Sequence, residues 1–327
     1  MATLLGELSA SPAISVILPV LNEAPHLEES ISAILAQDYH GDFQVILALG
    51  PSKDDTNQIA EKIAEGDKRV ILISNPSGKT AAGLNLAIAK SQNPVIVRVD
   101  GHAKIPQNYL SLVIQILRST GGVNVGGVMA AEGVTSFEKA VARAMRSPLG
   151  VGASRFHTGG AAGEVDTVYL GAFLREAVVA IGGFDERYKR AQDWELNHRL
   201  RKNGGKIYFD PRLQVTYRPR PSLRKLAKQY FQYGTWRRVV SRSHSGTTNL
   251  RYLAPPFAVT GTLFSLIAGF GINSIFYIPA AIYGLFVLIS SAVIAKSFSE
   301  YFALLAIIPT MHFSWGTGFI TSTKALR

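Results

Sequence analysis

The fold is decided by a short apolar run with a polar end, residues 94–103, PVIVRVDGHA. Valine and isoleucine in close succession are typical of a strand covered on both faces, as in a parallel sheet. Asp100 and His102 follow where this strand ends. Ligands of open α/β sheets bind outside the carboxyl ends of the strands, so the position of these two side chains predicts a binding site.

The same alternation of strands and amphipathic helices extends around that run, from Ala13 to about Asn203. The strands predicted before it are AISVILPV (13–20), FQVILAL (43–49) and RVILIS (69–74). The helices predicted between them are HLEESISAILAQ (26–37), DDTNQIAEKIAE (54–65) and TAAGLNLAIAKS (80–91). This order predicts βαβ units and an open, mostly parallel α/β sheet with helices on both faces. Three polar loops then meet at one edge of the sheet: PVLNE (19–23), GPSKDD (50–55) and DGHA (100–103).

Composition and charge limit the class of partner. The 327 residues include 34 Lys and Arg against 23 Asp and Glu, a net charge of +11, which favours nucleic acid, a phosphorylated substrate or an anionic membrane surface. The chain has no cysteine, which excludes disulfides and thiolate metal sites. Residues 1–12 contain Glu7 and an apolar run too short for a secretory signal, so we expect the domain that follows to be cytoplasmic.

A basic amphipathic segment follows Pro221. Residues 222–242, SLRKLAKQYFQYGTWRRVVSR, place apolar and aromatic side chains at helical spacing, with arginines and lysines between them. Such a helix suits a membrane interface, where anionic lipids attract the basic side chains. It also suits a helix that packs on its own domain.

Three apolar segments come after Arg251: YLAPPFAVTGTLFSLIAGFGI (252–272), NSIFYIPAAIYGLFVLISSAVIA (273–295) and YFALLAIIPTMHFSWGTGFITST (301–323). Each has about the 20 residues needed to cross a hydrocarbon core, which predicts an integral, multi-pass membrane protein. His312 and Trp315 interrupt the third segment. Three spans would place Lys324 and Arg327 on the far side from the basic domain. Two spans with a re-entrant or interfacial segment would keep them on the same side, as the positive-inside rule prefers.

Two aspartates are candidates for chemistry. Asp100 and His102 could supply a carboxylate and an imidazole to a divalent cation; alternatively, Asp100 caps the turn before a helix that starts near Pro106. Asp193 begins an amphipathic helix within RAQDWELNHRLRKNGG (190–205), where its carboxylate could accept a proton or serve as the helix N-cap. Spacing alone leaves both alternatives open.

Seven motifs stand in a characteristic order. They are SVILPVLNEAPHLEESISAILAQDY (15–39), NPSGKTAAGLNLAI (75–88), VRVDGHA (97–103), VDTVYLGAFLRE (165–176), GGFDERY (182–188), QDWELNHRLRKNGGKIYFDP (192–211) and QYFQYGTWRR (229–238). Together they resemble a family 2 glycosyltransferase with the GT-A fold. They are most similar to the membrane-anchored, succinoglycan-biosynthesis ExoA-like branch, in which the usual Asp-x-Asp motif reads Asp-x-His.

The resemblance implies an α/β, Rossmann-like mixed sheet of the nucleotide-diphospho-sugar transferase (GT-A) type. The implied segments are an N-terminal segment (1–12), a GT-A domain (13–220), a basic interfacial helix with its linker (221–250) and a membrane domain with two to three spans (251–327).

The resemblance also implies roles for individual residues. Asp193 would be the base of an inverting displacement, and Asp100 and His102 would hold Mg²⁺ or Mn²⁺ against the donor diphosphate. The residues assigned to the nucleotide sugar are Pro19, Asn22, Glu23, Lys79, Arg98, Asp100, Gln229, Trp236 and Arg237. The last three belong to a segment that closes over the diphosphate in processive relatives.

One departure from the family pattern concerns the nucleotide base. Leu49 and Gly50 stand where an acid that recognises the base is common. Asp54 and Asp55 come too late in the loop to replace that acid simply, and they fit a cap for a helix that begins near Thr56. Base recognition is therefore not assigned to a residue.

A second departure concerns the base catalyst. Gln192 stands where Glu usually precedes the catalytic aspartate. A neighbouring like charge would raise the pKa of the aspartate, so we expect Asp193 to be a weaker base than in relatives with Glu-Asp.

The implied function is transfer of a sugar from a nucleotide-sugar donor, with a UDP-sugar favoured, to a hydroxyl of a lipid-linked or nascent polysaccharide acceptor. The reaction would take place at the cytoplasmic face of the cell membrane. Two alternatives stay open: a polyprenyl-phosphate glycosyltransferase, and a non-catalytic GT-A-like subunit of a membrane glycan-synthesis complex. Nucleic acid is not expected as a partner, because the basic residues cluster beside the membrane segments.

Overall fold

The computed structural model describes residues 8–323, 325 and 326, so Glu7, Lys324 and Arg327, on which two sequence predictions depend, lie outside the described residues. The strands are β1 (Ile14–Val20), β2 (Phe43–Leu49), β3 (Val70–Ser74), β4 (Val95–Arg98), β5 (Asn124–Ala131), β6 (Gly163–Glu164), β7 (Tyr169–Leu174) and β8 (Ile207–Tyr217). The helices are α1 (Leu27–Leu35), α2 (Thr56–Gly66), α3 (Thr80–Lys90), α4 (Tyr109–Thr120), α5 (Ser136–Met145), α6 (Pro148–Val151), α7 (Arg155–Thr158), α8 (Arg175–Ala180), α9 (Gln192–Lys202), α10 (Leu223–Ser243), α11 (Ala254–Gly271), α12 (Ile278–Ile294) and α13 (Phe298–Thr321).

The chain packs as two compact units, and each unit is made of two separate stretches. The first unit comprises the chain up to Ala130 together with Gly159–Tyr217. The second comprises Ala131–Thr158 together with Arg218–Arg327. The stretch that contains α5, α6 and α7 therefore packs with the C-terminal helices, a feature that the sequence pattern did not indicate.

The first unit is built on one mixed sheet of eight strands, in the spatial order β3-β2-β1-β4-β7-β5-β8-β6. β1 pairs in parallel with β2 and β4, and β2 pairs in parallel with β3, as the alternating sequence pattern predicts. β7 runs antiparallel to β4 and to β5. The parallel half joined to an antiparallel half gives the mixed sheet that the GT-A resemblance implies.

The core of the first unit follows from the apolar strand residues. Val16, Ile17 and Leu18 of β1 have no exposed surface, because β1 lies in the interior of the sheet. α3 packs on β1 and β2 with small side chains, and its Ala81 and Ala87 are buried. The polar loops that follow the strands are left at the carboxyl edge of the parallel half.

Two sequence alternatives about helix starts are settled by the structure. α4 begins at Tyr109, with Asn108 as its N-cap, so the predicted start near Pro106 is three residues early. The N-cap position of this helix is therefore Asn108 and not Asp100, whose carboxylate accepts a hydrogen bond from Arg98. Asp54 does serve the start of α2, because its Oδ1 accepts a hydrogen bond from the backbone N–H of Thr56 at 3.2 Å.

The second unit contains the basic amphipathic helix α10 and three helices long and apolar enough to cross a membrane, Ala254–Gly271, Ser274–Ile294 and Phe298–Thr321. A 3-10 turn, Ser274–Tyr277, joins α11 to α12. α10 and α13 pack closely along one another. A Cβ on Gly234 of α10 would overlap the carbonyl oxygen of Trp315, and one on Gly318 would overlap that of Phe231, so glycine permits the close approach of the two backbones.

Candidate functional site

The loop after β1 is held by the loop after β2. Asn22 has a positive φ of 56°, and its Oδ1 accepts a hydrogen bond from the backbone N–H of Lys53 at 2.8 Å. The backbone N–H of Glu23 donates to Oγ1 of Thr56 at 2.8 Å, and that of Ala24 donates to Oδ2 of Asp54. Asn22 and Glu23, two of the residues predicted to bind the nucleotide, therefore lie on a loop that is held in place by hydrogen bonds to the segment after β2.

Arg98 joins the two candidate aspartates. Its guanidinium is buried at the end of β4 and forms ion pairs with Asp100, at 3.0 Å from Nη2 to Oδ1, and with Asp193 through Nη1. The side chains of Asp100 and Asp193 are 22% and 26% exposed. The fold therefore brings the carboxylate proposed to bind a metal ion and the carboxylate proposed to accept a proton to the same guanidinium group, that of Arg98.

This arrangement sets the pKa values of the two carboxyls in opposite directions. Burial raises the pKa of Asp193, the Arg98 charge lowers it, and the Asp100 charge adds to the rise, which leaves it above its ordinary value. Burial also acts to raise the pKa of Asp100. The charges of Arg98, His102 and Arg190 together lower it by more than burial raises it, so the pKa of Asp100 is below its ordinary value. Asp100 therefore stays ionised at neutral pH, and Asp193 is a stronger base than an exposed aspartate.

His102 lies against Glu23, an interaction that sequence spacing gave no means to find. The Nδ1 atom of His102 is 2.9 Å from Oε1 of Glu23. Gly101 allows this contact, because a Cβ there would lie only 3.0 Å from Cγ of Glu23. The contact with Glu23 thus fixes the orientation of the His102 ring.

These residues fit a divalent cation of the Mg²⁺ or Mn²⁺ type. Among residues 8–323, 325 and 326 no group of three or more His, Asp or Glu side chains is gathered as a closed metal cage. A cation bound with diphosphate needs only one or two protein ligands, since phosphate oxygens and water complete its shell. The ionised, partly exposed carboxylate of Asp100 and the imidazole of His102 meet that requirement.

Asp193 is placed by the start of α9. Ala191, its N-cap, has a left-handed backbone with φ of 62°, which turns the chain into the helix just before Asp193. Further along α9, Arg199 pairs with Glu195 at 2.7 Å and donates to the backbone carbonyls of Ile181 and Gly183. The helix that carries Asp193 is thereby fixed to the preceding loop.

A cavity of about 370 Å³ opens at the carboxyl ends of β2 and β3. Its walls are formed by Leu49, Gly50, Pro51, Asn57, Glu61, Leu72, Ile73, Ser74 and Pro76. The Oδ1 atom of Asn57 is buried and has no hydrogen-bond partner within the described part of the chain. The two residues that depart from the family pattern, Leu49 and Gly50, are therefore cavity walls.

The other predicted nucleotide residues of the first unit lie along the same loops. Pro19 is half-buried in β1, in register with Ala48 of β2. Lys79 is exposed at the start of α3 and makes no ion pair within the described residues.

Three predicted donor-closing residues belong to the second unit. Gln229, Trp236 and Arg237 are buried in α10. The guanidinium carbon of Arg237 lies 3.7 Å from the centre of the Tyr252 ring, and its Nη2 donates to the carbonyl of Thr247. Their assignment to the donor stays a prediction.

Comparison with known proteins agrees with this geometry. Residues 15–182 match the model of the family described as glycosyl transferase family 2. The succinoglycan biosynthesis protein ExoA of Rhizobium meliloti (strain 1021) is 30% identical over 308 residues, which is 93% of this chain and 93% of that protein. The dolichyl N-acetyl-alpha-D-glucosaminyl phosphate 3-beta-D-2,3-diacetamido-2,3-dideoxy-beta-D-glucuronosyltransferase of Methanococcus voltae is 24% identical over 274 residues, 78% of this chain and 80% of that one.

Solved structures share the fold. The mannosyltransferase PcManGT from Pyrobaculum calidifontis, in complex with GDP-Man and Mn²⁺, superposes with a TM-score of 0.66 at 18% identity, over 99% of this chain and 93% of that chain. S. aureus TarS 1–349 in complex with UDP-GlcNAc gives 0.52 at 16% identity, over 93% and 91%. The mixed sheet is thus a GT-A fold. Since the family model covers half of the chain and ExoA matches nearly all of it, this chain belongs to glycosyltransferase family 2 and is a glycosyltransferase.

Proposed function

We propose that this glycosyltransferase moves a sugar from a nucleotide-sugar donor, with a UDP-sugar favoured, to a hydroxyl of a lipid-linked or nascent polysaccharide acceptor, with inversion at the anomeric carbon. One observation carries the proposal: Arg98 holds Asp100 and Asp193 together at the carboxyl edge of the sheet. One carboxylate is ionised and suited to a cation, and the other has the raised pKa of a general base.

In the proposed reaction, Asp193 accepts the proton of the acceptor hydroxyl. The acceptor oxygen forms its bond to the anomeric carbon as the bond from that carbon to the diphosphate oxygen breaks, and the nucleoside diphosphate leaves with the electron pair. Arg98 keeps Asp193 oriented before proton transfer. A single displacement of this kind inverts the anomeric centre.

Asp100 and His102 are the residues proposed to hold a Mg²⁺ or Mn²⁺ ion. When bound, such an ion neutralises charge on the diphosphate leaving group. Glu23 fixes the orientation of the His102 ring, as partners of metal-bound histidines commonly do. The Mn²⁺ in the PcManGT complex supports the choice of ion class, because that protein shares the GT-A fold.

The cavity beside β2 and β3 is proposed to receive the nucleoside. It lies at the carboxyl ends of parallel strands, where open α/β sheets bind ligands. Since Leu49 replaces the usual acid, the polar groups left to contact a base are those of Asn57, Glu61 and Ser74. Lys79, exposed on the next loop, is proposed to approach the phosphates.

A membrane-associated acceptor is supported by the second unit. Its three long apolar helices and the basic helix α10 suit an enzyme held at the cytoplasmic membrane face, where a lipid-linked acceptor diffuses in two dimensions. Donor closure by Gln229, Trp236 and Arg237, and the division into a GT-A domain (13–220) and a membrane domain (251–327), are part of the same proposal.

The test separates binding from chemistry. Purified full-length protein in detergent is titrated with UDP, GDP, dTDP and CMP, each with and without Mn²⁺, and transfer is then measured from the sugar nucleotide whose nucleotide binds. We expect Asp193→Asn to reduce turnover at least 100-fold while metal-dependent binding is kept, because general bases contribute about 10²–10⁴-fold. We expect Asp100→Ala to lose both.

A matched control is available in the same unit. Asp67 also pairs with an arginine, Arg69, and its side chain is 27% exposed, close to the 26% of Asp193. Asp67→Asn should change neither binding nor turnover. Wild-type turnover in Asp193→Asn would show that another group is the base, and metal-independent binding in the wild type would refute the role given to Asp100.

A further inference from the structure

The loop between α8 and α9, residues 181–191, is anchored to α3. Nδ2 of Asn85, on α3, donates to the carbonyl oxygen of Phe184 at 2.8 Å, and Oδ1 of Asn85 accepts from the backbone N–H of Phe184 at 2.8 Å. Gly183 has a positive φ of 70°, and a Cβ there would lie only 2.6 Å from Oδ1 of Asn85. The loop is therefore bound closely to the helix that begins beside Lys79.

The end of this loop leads directly to Asp193. Tyr188 is 2% exposed, so its side chain anchors the loop in the core of the first unit. Arg190 follows on the surface, and the left-handed backbone of Ala191 then turns the chain into α9. Since Arg190 and Asp193 are three residues apart, their Cα atoms are separated by at most about 11 Å. Arg190 is thus an exposed cation that the anchored loop holds close to Asp193.

The charge of Arg190 also acts on Asp100. Burial raises the pKa of the Asp100 carboxyl, and the groups whose charges lower it are Arg98, His102 and Arg190. Interactions between charges are largely screened beyond about 10 Å, so a cation with this effect lies near the carboxylate. Because Arg98 joins Asp100 to Asp193, Arg190 lies beside the centre of the candidate site.

The named side chains of the site carry more negative than positive charge. Glu23, Asp100 and Asp193 contribute carboxylates, whereas the guanidinium of Arg98 is already engaged by both aspartates. A divalent cation offsets part of this negative charge. The diphosphate of a sugar nucleotide gains negative charge as it leaves, so a further cation placed at the site stabilises it.

We propose that Arg190 binds the diphosphate of the donor and stabilises the negative charge that the diphosphate gains as it leaves. The inference rests on the proposed function, because it assigns a further residue to the same site. The planar guanidinium of arginine matches the geometry of phosphate oxygens and can donate two parallel hydrogen bonds to them.

Arg190 transfers no atom in this role. The electron pair of the bond between the anomeric carbon and the diphosphate oxygen stays on that oxygen, and the proton of the acceptor hydroxyl goes to Asp193. The N–H groups of Arg190 donate hydrogen bonds to the terminal phosphate throughout.

The test compares nucleotides that have the terminal phosphate with nucleotides that lack it. Purified full-length protein in detergent is titrated with UDP and UMP, and with GDP and GMP, in the presence of Mn²⁺. We expect Arg190→Gln to weaken binding of the diphosphate at least 10-fold and binding of the monophosphate less than 2-fold, because hydrogen bonds to charged groups contribute on this scale. Arg190→Lys, which keeps the charge but not the planar fork, should lie between Arg190→Gln and the wild type.

Arg187→Gln is the matched control. Arg187 lies on the same loop and is 56% exposed, but Asp185 engages its guanidinium at 2.7 Å. This variant should bind both kinds of nucleotide as the wild type does. Because Arg190 is exposed, Arg190→Gln should also keep the wild-type Tm, which separates lost binding from unfolding.

The outcomes distinguish the role of Arg190 from the proposed function. If the wild type binds none of the four nucleotides, the proposed function is wrong. If the wild type binds a diphosphate and Arg190→Gln binds it as tightly, or loses diphosphate and monophosphate equally, only the assignment of Arg190 is wrong. At saturating donor, kcat of Arg190→Gln should fall at least 10-fold, because the charge on the diphosphate grows in the transition state. An unchanged kcat would overturn the role of Arg190 in stabilising the leaving group.

Discussion

Removal of the Arg98 charge tests the electrostatic centre of the site. The Arg98 side chain is 5% exposed, whereas its partners Asp100 and Asp193 are 22% and 26% exposed. Breaking a fully buried ion pair by removal of one partner costs about 3–5 kcal/mol. Because both carboxylates keep partial contact with water, we expect Arg98→Met to lower the free energy of unfolding by about 2 kcal/mol at neutral pH. For a unit of this size that corresponds to a fall in Tm of about 4–8 °C.

The pH dependence of that loss identifies its cause. Without Arg98, two carboxylates face each other, so the pKa of one of them rises in the folded variant above its unfolded value of about 3.9. A group with a raised folded pKa stabilises the folded state at low pH, and this contribution is lost as pH rises through the folded pKa. In the wild type, Asp100 has a lowered folded pKa, so its contribution is lost as pH falls. Asp193 already has a raised pKa in the wild type, and removal of the Arg98 charge raises it further in the variant, so the gap between variant and wild type shrinks from neutral pH towards about pH 4.5; the Asp100 contribution of the wild type is lost only below about pH 3.9.

The assay is thermal unfolding of the full-length protein in detergent over that pH range. Arg69→Met is the matched control, because Arg69 also pairs with an aspartate two residues away, Asp67, and the two side chains are 40% and 27% exposed. An exposed pair of this kind is worth about 1 kcal/mol or less, so this variant should differ little from the wild type. A Tm deficit of Arg98→Met that stays constant with pH would refute the electrostatic explanation and leave only lost packing.

Three further outcomes are expected. Glu23→Ala should weaken Mn²⁺ binding by about 10–100-fold, because the ring of His102 loses the partner that orients it. The affinity is measured by electron paramagnetic resonance with nucleoside diphosphate present, and an unchanged affinity would show that Glu23 has no role in metal binding. Asn57→Leu should raise the nucleotide Kd several-fold and leave the Mn²⁺ affinity unchanged. An equal weakening of nucleotide binding and Mn²⁺ binding would show that Asn57 does not contact the nucleoside. Gly234→Ala should lower the Tm because its Cβ would overlap a carbonyl of α13, whereas Gly284→Ala, with open space around it, should not; similar Tm values for the two would contradict the close helix approach.

The parallel half of the sheet could be predicted from the sequence, because β1 to β4 are apolar runs separated by amphipathic helices of ordinary length. The antiparallel half could not be predicted from the local sequence pattern, because β7 pairs with β4 and β5, two strands that are far from it in the sequence. The family resemblance supplied the mixed character of the sheet instead.

The candidate site shows the same division between local and distant information. Asp100 and Asp193 could be selected as chemical groups from their positions at a strand end and a helix start. Their common partner Arg98 was assigned only to the nucleotide, because spacing does not report which side chains meet in space. The Glu23–His102 contact depends likewise on two loops from different strands. The expected weakness of Asp193 relative to Glu-Asp relatives stays a prediction, although Asp100 supplies a neighbouring like charge.

The stretch Ala131–Thr158 has a consequence for how the protein can be divided and how it is made. A truncation after Tyr217 would leave the apolar face of α5, with Val141, Ala144 and Met145, without the helices that cover it. During synthesis this face leaves the ribosome long before α13 is made. It therefore stays uncovered until α13 is available or binds to the lipid surface in the meantime. A soluble catalytic fragment therefore requires replacement of this stretch, and not only removal of the C-terminal helices.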